Sequence, residues 1–243
     1  IMLLIIIGGI GFLTWDDVYT NKRRFKRYRM QSKIILLTTA ILIFVPAIFF
    51  FVCDFGQVSI GKRTLLSLFQ SVTTRTAGFN TADLSSMTEA GQAIMILLML
   101  IGGSPSSTAG GMKTTTAAAL LLNAFATFRS REDAGAFGRR FDGQVIKNAA
   151  TIAMLYFVLF FFGGITISVY EGLSLQLCLY EAASAVGTVG LTLGITPGLH
   201  ILSRLILIML MYLGRVGGLT LIYAVLSRRN MNAKMPLEKI TVG

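Results

Sequence analysis

Charge is scarce in this sequence. Of its 243 residues 14% are charged and 54% are hydrophobic, whereas a soluble domain carries about 25% charged residues, so a water-soluble globular body is excluded. Histidine occurs once, at His200, and cysteine twice, at Cys53 and Cys178. None has a second Cys or His nearby, so a disulfide, a metal site and imidazole acid-base chemistry all lack a partner. His200 reads as an interfacial surface residue and both cysteines as packing residues. No nucleophile stands beside a base, which argues against an enzyme and for no cofactor. Acidic residues are half as numerous as basic ones, 11 against 22. The basic surplus lies in short blocks between apolar runs, a pattern of membrane orientation that speaks against nucleic acid as a partner.

What is present is a series of long apolar runs, with mean hydropathy +0.71, so the lipid bilayer is the expected surrounding. The first run, before Asp16, is shorter than the roughly 20 residues of a span and lacks a signal peptide's basic start and cleavage site. It reads as the tail of a transmembrane helix, and the chain as a fragment. Residues 34 to 52 carry no charge and can span, with Pro46 as a kink. Residues 64 to 74 are apolar between Arg63 and Arg75, a length that suits a re-entrant helix. From Ala90 to Phe128 the one charge is Lys113; a helix of that length would measure about 58 Å against a core of about 30 Å. Its break lies in Gly102-Gly103-Ser104-Pro105-Ser106-Ser107-Thr108-Ala109-Gly110-Gly111-Met112-Lys113, where so many turn formers favour a flexible intramembrane loop over a kink. Residues 148 to 170 span, 173 to 185 re-enter, 186 to 194 form a second loop and 205 to 227 span again. Blocks of seven, five and four basic residues at 22 to 33, 129 to 147 and 228 to 239 share one side. That side is expected to be cytoplasmic.

Sliding the chain against itself by 112 residues places Thr76 on Thr188, Gly78 on Gly190, Leu98 on Leu210, Met99 on Met211 and Gly102 on Gly214. The order of elements recurs unreversed, which makes this a parallel tandem repeat. In each copy a Thr-x-Gly tetrapeptide, Thr76-Ala77-Gly78-Phe79 or Thr188-Val189-Gly190-Leu191, follows a re-entrant segment. Such a loop offers backbone carbonyls to a desolvated cation, as potassium filters do. Arg215 falls inside the last apolar run, where a cation costs at least roughly 2.5 kcal/mol. It can pair with Glu181 or project into the ion path as a barrier. Arg75 and Glu181 flank the two tetrapeptides at unequal positions and suit bracing from behind. Lys113 either snorkels to the interface or approaches the pore.

With these motifs in this order, the sequence resembles the Trk/Ktr/HKT superfamily of potassium-translocating membrane subunits, nearest the bacterial Ktr type. The stretch from Ser71 to Thr81 is similar to that family's third filter, the Gly102 to Lys113 segment to its intramembrane gating loop, and Gly187 to Thr192 with Arg215 to its fourth filter and pore arginine. Ile7-Gly8-Gly9-Ile10-Gly11-Phe12 resembles the end of the second repeat. The resemblance implies an all-α polytopic membrane protein of tandem parallel span/pore-loop/span repeats. Its units here would be 1–33, 34–144 and 145–243, with the first and second filters outside the sequence. It further implies potassium as the transported ion with sodium as a possible second ion, uptake across a bacterial plasma membrane, a homodimer, and a cytosolic ring of nucleotide-binding regulatory subunits. Phe79 and Leu191 stand where a potassium channel has Tyr, and no second Gly follows. A filter with fewer ordered sites than a channel's is expected.

A secondary transporter of a small anionic solute also uses broken helices and re-entrant loops. Such folds usually carry inverted repeats, and the repeat here is parallel.

Overall fold

The computed structural model describes residues 1–22, 24–131 and 133–218. Nine α-helices run through the described residues: α1 Met2–Ile10, α2 Phe12–Asn21, α3 Met30–Cys53, α4 Ile60–Thr73, α5 Glu89–Leu100, α6 Thr114–Phe128, α7 Gly143–Glu171, α8 Leu175–Val186 and α9 Ile201–Val216. A long helix, a short helix, an extended loop and a further helix follow one another twice, from α3 and from α7. Among the described residues α3 and α7 are each long and apolar enough to cross a membrane, and the bent pair α1–α2 qualifies jointly.

Several boundaries differ from those expected. The opening run is two helices turned by 90° at Gly11, whose φ of 89° is a conformation that L side chains rarely adopt. Helix α4, expected over 64 to 74, begins at Ile60 and takes in Lys62 and Arg63, the charge that bounds it in the sequence. Arg63 remains in place because its Nε donates to the Phe51 carbonyl (2.5 Å) and its guanidinium lies 4.4 Å from the Phe51 ring, closing the C-terminal turn of α3. The last span was expected over 205 to 227; α9 instead stops at Val216, where Gly217 takes φ 88°. Arg215 therefore occupies the last turn of a helix rather than mid-span. Beyond Gly218 the remainder of that span, the basic residues at 228 to 239, and Arg23 of the first block lie outside the described residues. A small antiparallel hairpin departs from an all-helical chain: β1 Gly135–Ala136 pairs with β2 Arg139–Arg140. Helix α3 continues unbroken through Pro46.

Helix starts follow local chemistry. Thr88 caps α5 by accepting from the Gly91 amide (3.0 Å), while Asp54 accepts both the Thr88 amide and hydroxyl at 2.8 Å, tying the end of α3 to the start of α5. Glu171 accepts the His200 amide (2.9 Å), and the His200 ring meets Tyr170 edge-on, leaving this histidine exposed at the start of α9.

The core is organised on α8. Cys178, Tyr180, Ala182, Ala183 and Val186 are fully buried there against Met95 and Met99 of α5 and Ile167 of α7. Small residues let the backbones close in. A Cβ on Gly214 would lie 2.0 Å from the Val186 carbonyl oxygen, so α9 can cross the end of α8 at that point only with glycine. Cys53 is exposed at the end of α3 and Cys178 lies within the core, with no sulfur pairing between them.

Candidate ion pathway

Both Thr-x-Gly loops leave the buried C-terminal ends of short helices, α4 and α8. Their backbones adopt the same unusual pattern: φ is 61° at Thr76 and 71° at Gly78, and 54° at Thr188 and 93° at Gly190. Ala77 and Val189, the residues between, have negative φ. Residues of opposite handedness in alternation turn successive carbonyls to one side, the backbone condition for a carbonyl-lined path. Threonine at positive φ is uncommon and strained. The two loops also meet, since a Cβ at Gly78 would lie 2.1 Å from the Val189 carbonyl oxygen.

Each loop is held from behind by a different set of side chains. In the first, Thr73 Oγ1 donates to the Phe79 carbonyl (2.7 Å), and the Ala77 and Gly78 amides both reach the Thr73 carbonyl. In the second, Ser184 Oγ accepts from the Gly190 amide (3.1 Å). Glu181, only 4% exposed, accepts from Thr192 Oγ1 (2.5 Å), the Leu193 amide (3.1 Å) and Thr196 Oγ1 (2.8 Å). Its carboxylate is thus committed to the chain leaving Gly190–Leu191, and the pairing with Arg215 weighed from sequence does not form. Arg75 is buried behind the first loop, with its Nε and one terminal nitrogen free of hydrogen bonds among the described residues. Outside this loop, hydrogen bonds from the Ser85 hydroxyl and amide hold exposed Asp83 below the usual carboxylate range, so it is charged at neutral pH.

Thr73 and Ser184 escaped sequence reasoning. Thr73 donates to a carbonyl and Ser184 accepts from an amide, and under the 112-residue offset Thr73 falls on Ala185, so the self-match pairs the two positions neither in register nor in role.

We expect Glu181→Ala to remove three hydrogen bonds to a buried carboxylate and to destabilise the fold by about 1–3 kcal/mol in all, since the half-buried Leu193 amide and the Thr192 and Thr196 hydroxyls, which also meet each other at 3.1 Å, remain within reach of other partners. A lowered melting temperature would show this, with Glu181→Gln milder.

Between α5 and α6, residues 101–113 are non-helical, and they are stitched rather than loose. The Gly102 amide donates to the Met112 carbonyl (2.8 Å), the Thr114 amide to the Gly103 carbonyl (3.0 Å), and the Ser104 and Thr114 hydroxyls meet at 3.0 Å. These bonds close a neck, giving a compact Ω-like loop with a tip at 105–109. The Ser104 amide donates to the Gly9 carbonyl (2.9 Å) and the Phe12 amide to the Ser106 carbonyl (3.1 Å), both at the α1–α2 bend. From the other side Arg215 donates to the Thr108 carbonyl (2.7 Å), and Lys113 Nζ to the next carbonyl, that of Ala109 (2.6 Å). Gly8–Gly11 and Gly214–Gly217 share one spacing, and the two glycines that end them share one backbone conformation, φ/ψ 89°/145° and 88°/140°. The α1–α2 bend and the Arg215 side chain thus hold the tip from two flanks. The loop also touches the second Thr-x-Gly turn: a Cβ on Gly110 would lie 2.1 Å from Thr188 Oγ1, and one on Gly111 would lie 3.3 Å from the Gly187 carbonyl. Gly102, Gly103 and Ser104 are buried, while Ser106 is exposed and Ser107 half-buried at the tip.

The model of one protein family, described as TrkH, a cation transport protein, matches residues 1–234. The chain belongs to this TrkH family. Potassium/sodium uptake protein NtpJ of Enterococcus hirae is 36% identical over 99% of this chain and 56% of its own length. Ktr system potassium uptake protein B of Bacillus subtilis is 33% identical over 100% of this chain and 56% of its own length. The chain thus spans little more than half the length of these curated relatives. The crystal structure of the potassium transporter TrkH from Vibrio parahaemolyticus superposes with a TM-score of 0.74 at 18% identity, covering 93% of this chain and 51% of that one. That likeness extends the family assignment to the fold. The family is one of transport proteins rather than of enzymes.

Proposed function

We propose that the protein containing this chain takes up potassium across the plasma membrane through a filter to which Thr76–Phe79 and Thr188–Leu191 contribute two of four single-glycine loops. The observation that carries the reading is the shared alternation of backbone handedness in two loops that face each other. Carbonyls replace the ion's hydration shell there. The names of the relatives, which carry potassium or potassium/sodium uptake, support the choice of ion, with sodium as a second candidate. Units 34–144 and 145–243 serve as the third and fourth span/pore-loop/span repeats, and 1–33 as the end of the second.

On the cytoplasmic side of the filter, Gly102 to Lys113 with Arg215 form the gate. The basic blocks lie in the cytoplasm of a bacterial cell, and the transporter works as a homodimer with a ring of nucleotide-binding regulatory subunits. Transport needs no cofactor in this chain.

The test is growth and rubidium or potassium uptake in cells lacking their own potassium uptake systems, expressing the full-length protein. Uptake at low external potassium supports the reading. Uptake of sodium alone, or of an anionic solute, rejects it.

A further inference from the structure

The hairpin between α6 and α7 is absorbed by neither filter nor gate, yet it is built with care. The Arg131 amide returns to the Ala126 carbonyl at the end of α6 (2.9 Å), the Phe141 amide closes on Ala134 (2.8 Å), and Ala134 is buried. Phe137 and Gly138 form its two-residue turn with φ of 54° and 76°, the geometry of a type I′ turn, which favours Asn or Gly at the first place. A strained phenylalanine there is held out at the tip, 48% exposed, and strain of this kind gathers at functional positions. Phe137 meets Phe25 of the first basic block edge-on at 6.4 Å, and Lys33 Nζ lies 5.6 Å from the Phe137 ring.

Between the hairpin and the end of α6 is a cleft of about 430 Å³. Arg129, Arg131, Asp133, Arg139 and Arg140 line it together with Leu122, Phe125 and Ala126 of α6. Asp133 pairs with Arg140 at 3.1 Å. Arg129, Arg131 and Arg139 have no carboxylate within ion-pair distance among the described residues. Arg139 also lines a second cleft on the far side of the hairpin, beside Lys26, Arg27 and Lys33. Phe125 also belongs to an apolar stripe on α6 with Phe128 and Leu121, the three being 61%, 84% and 60% exposed and on one helical face at i, i+4 and i+7.

We propose that this cleft binds the phosphate of an anionic phospholipid, with the acyl chains lying along the Leu121–Phe125–Phe128 stripe. Three arginines supply charge and forked donors for a phosphodiester, and basic pockets at the membrane boundary recognise anionic headgroups in this way. The stripe decides between a lipid and a water-soluble phosphate or an acidic protein segment, because neither of the latter brings a long apolar chain to cover it. The inference rests on α6 crossing the membrane and is independent of which ion is moved.

The test is native mass spectrometry of the purified full-length transporter with added phosphatidylglycerol or phosphatidylcholine of identical chains. We expect phosphatidylglycerol to be retained about tenfold better, and R129Q/R131Q/R139Q to remove most of that preference, each cation near an anionic surface contributing appreciably. Glycerol 3-phosphate and inorganic phosphate should not displace it. Equal retention of both lipids, or undiminished preference in a folded triple variant, overturns the proposal. Displacement by inorganic phosphate alone overturns the lipid in favour of a soluble phosphate. Should the triple variant fail to fold, the parent decides: retention must fall as salt rises from about 50 to 500 mM, and a flat response rejects the site. Loss of the retained lipid only when a regulatory subunit is bound supports the cleft, whereas preference that appears only with that subunit bound overturns it.

Discussion

Serine at Gly190 or Gly78 is expected to cut the discrimination of potassium from sodium about tenfold or more in the full-length protein. The two positions fail for different reasons, which makes the pair informative. Gly190 has open space around it and φ 93°, so a side chain there meets no neighbour and acts through the backbone alone. Relaxing that dihedral turns a carbonyl away from its fellows, and about 1.4 kcal/mol of lost preference is a tenfold change in relative affinity. At Gly78 the Cβ would in addition run into the Val189 carbonyl oxygen, so both loops are disturbed and expression should fall as well. Potassium uptake measured against competing sodium distinguishes the cases. Unchanged selectivity in well-expressed Gly190→Ser would remove these loops from the filter.

What the sequence disclosed and what it hid divide along a physical line. Apolar length and clusters of helix breakers are local quantities, so α3, α7 and the non-helical 101–113 stretch are legible in the sequence. Charge was a poorer guide to boundaries. Arg63 looked like the start of a re-entrant segment, yet it belongs to α4 because the Phe51 ring and carbonyl accommodate its guanidinium. The span expected over 205 to 227 runs straight through Gly217, where α9 ends in the conformation that at Gly11 bends the chain by 90°. Partners across space were hidden altogether. Glu181 and Arg215 were weighed as an ion pair because both are charges in apolar surroundings, but three hydrogen bonds already occupy the carboxylate. The hairpin was missed since Phe-Gly is not a turn-forming pair that composition flags. The grip of Gly9 and Phe12 on the loop is likewise a contact between segments about a hundred residues apart.

That grip shapes the last expectation. The neck of the 101–113 loop is closed by backbone bonds and the Ser104–Thr114 hydroxyl pair, while its tip hangs on three links: Phe12 to Ser106, Arg215 to Thr108 and Lys113 to Ala109. Two of the three are cations on adjacent carbonyls, so removing either loosens the tip and removes positive charge in one step. A potassium ion passing about 8 Å from Arg215 would meet roughly 2 kcal/mol of repulsion at an effective dielectric constant near 20, a factor of about 30 in rate. Arg215→Gln should therefore raise flux by about one order of magnitude and weaken its dependence on the regulatory partner, with selectivity largely intact because no carbonyl of either Thr-x-Gly loop is touched. Deleting Ser106 to Ala109 should act in the same direction. Ser104→Ala should instead lower stability, since it opens the neck and leaves the charge in place. Because Glu181 does not depend on Arg215, the Gln variant is expected to fold, and its melting temperature should stay within a few degrees of the parent. Well-folded Arg215→Gln and tip-deleted proteins that conduct no faster than the parent without the regulatory subunit would show that the loop is a fixed plug support and that the gate lies elsewhere.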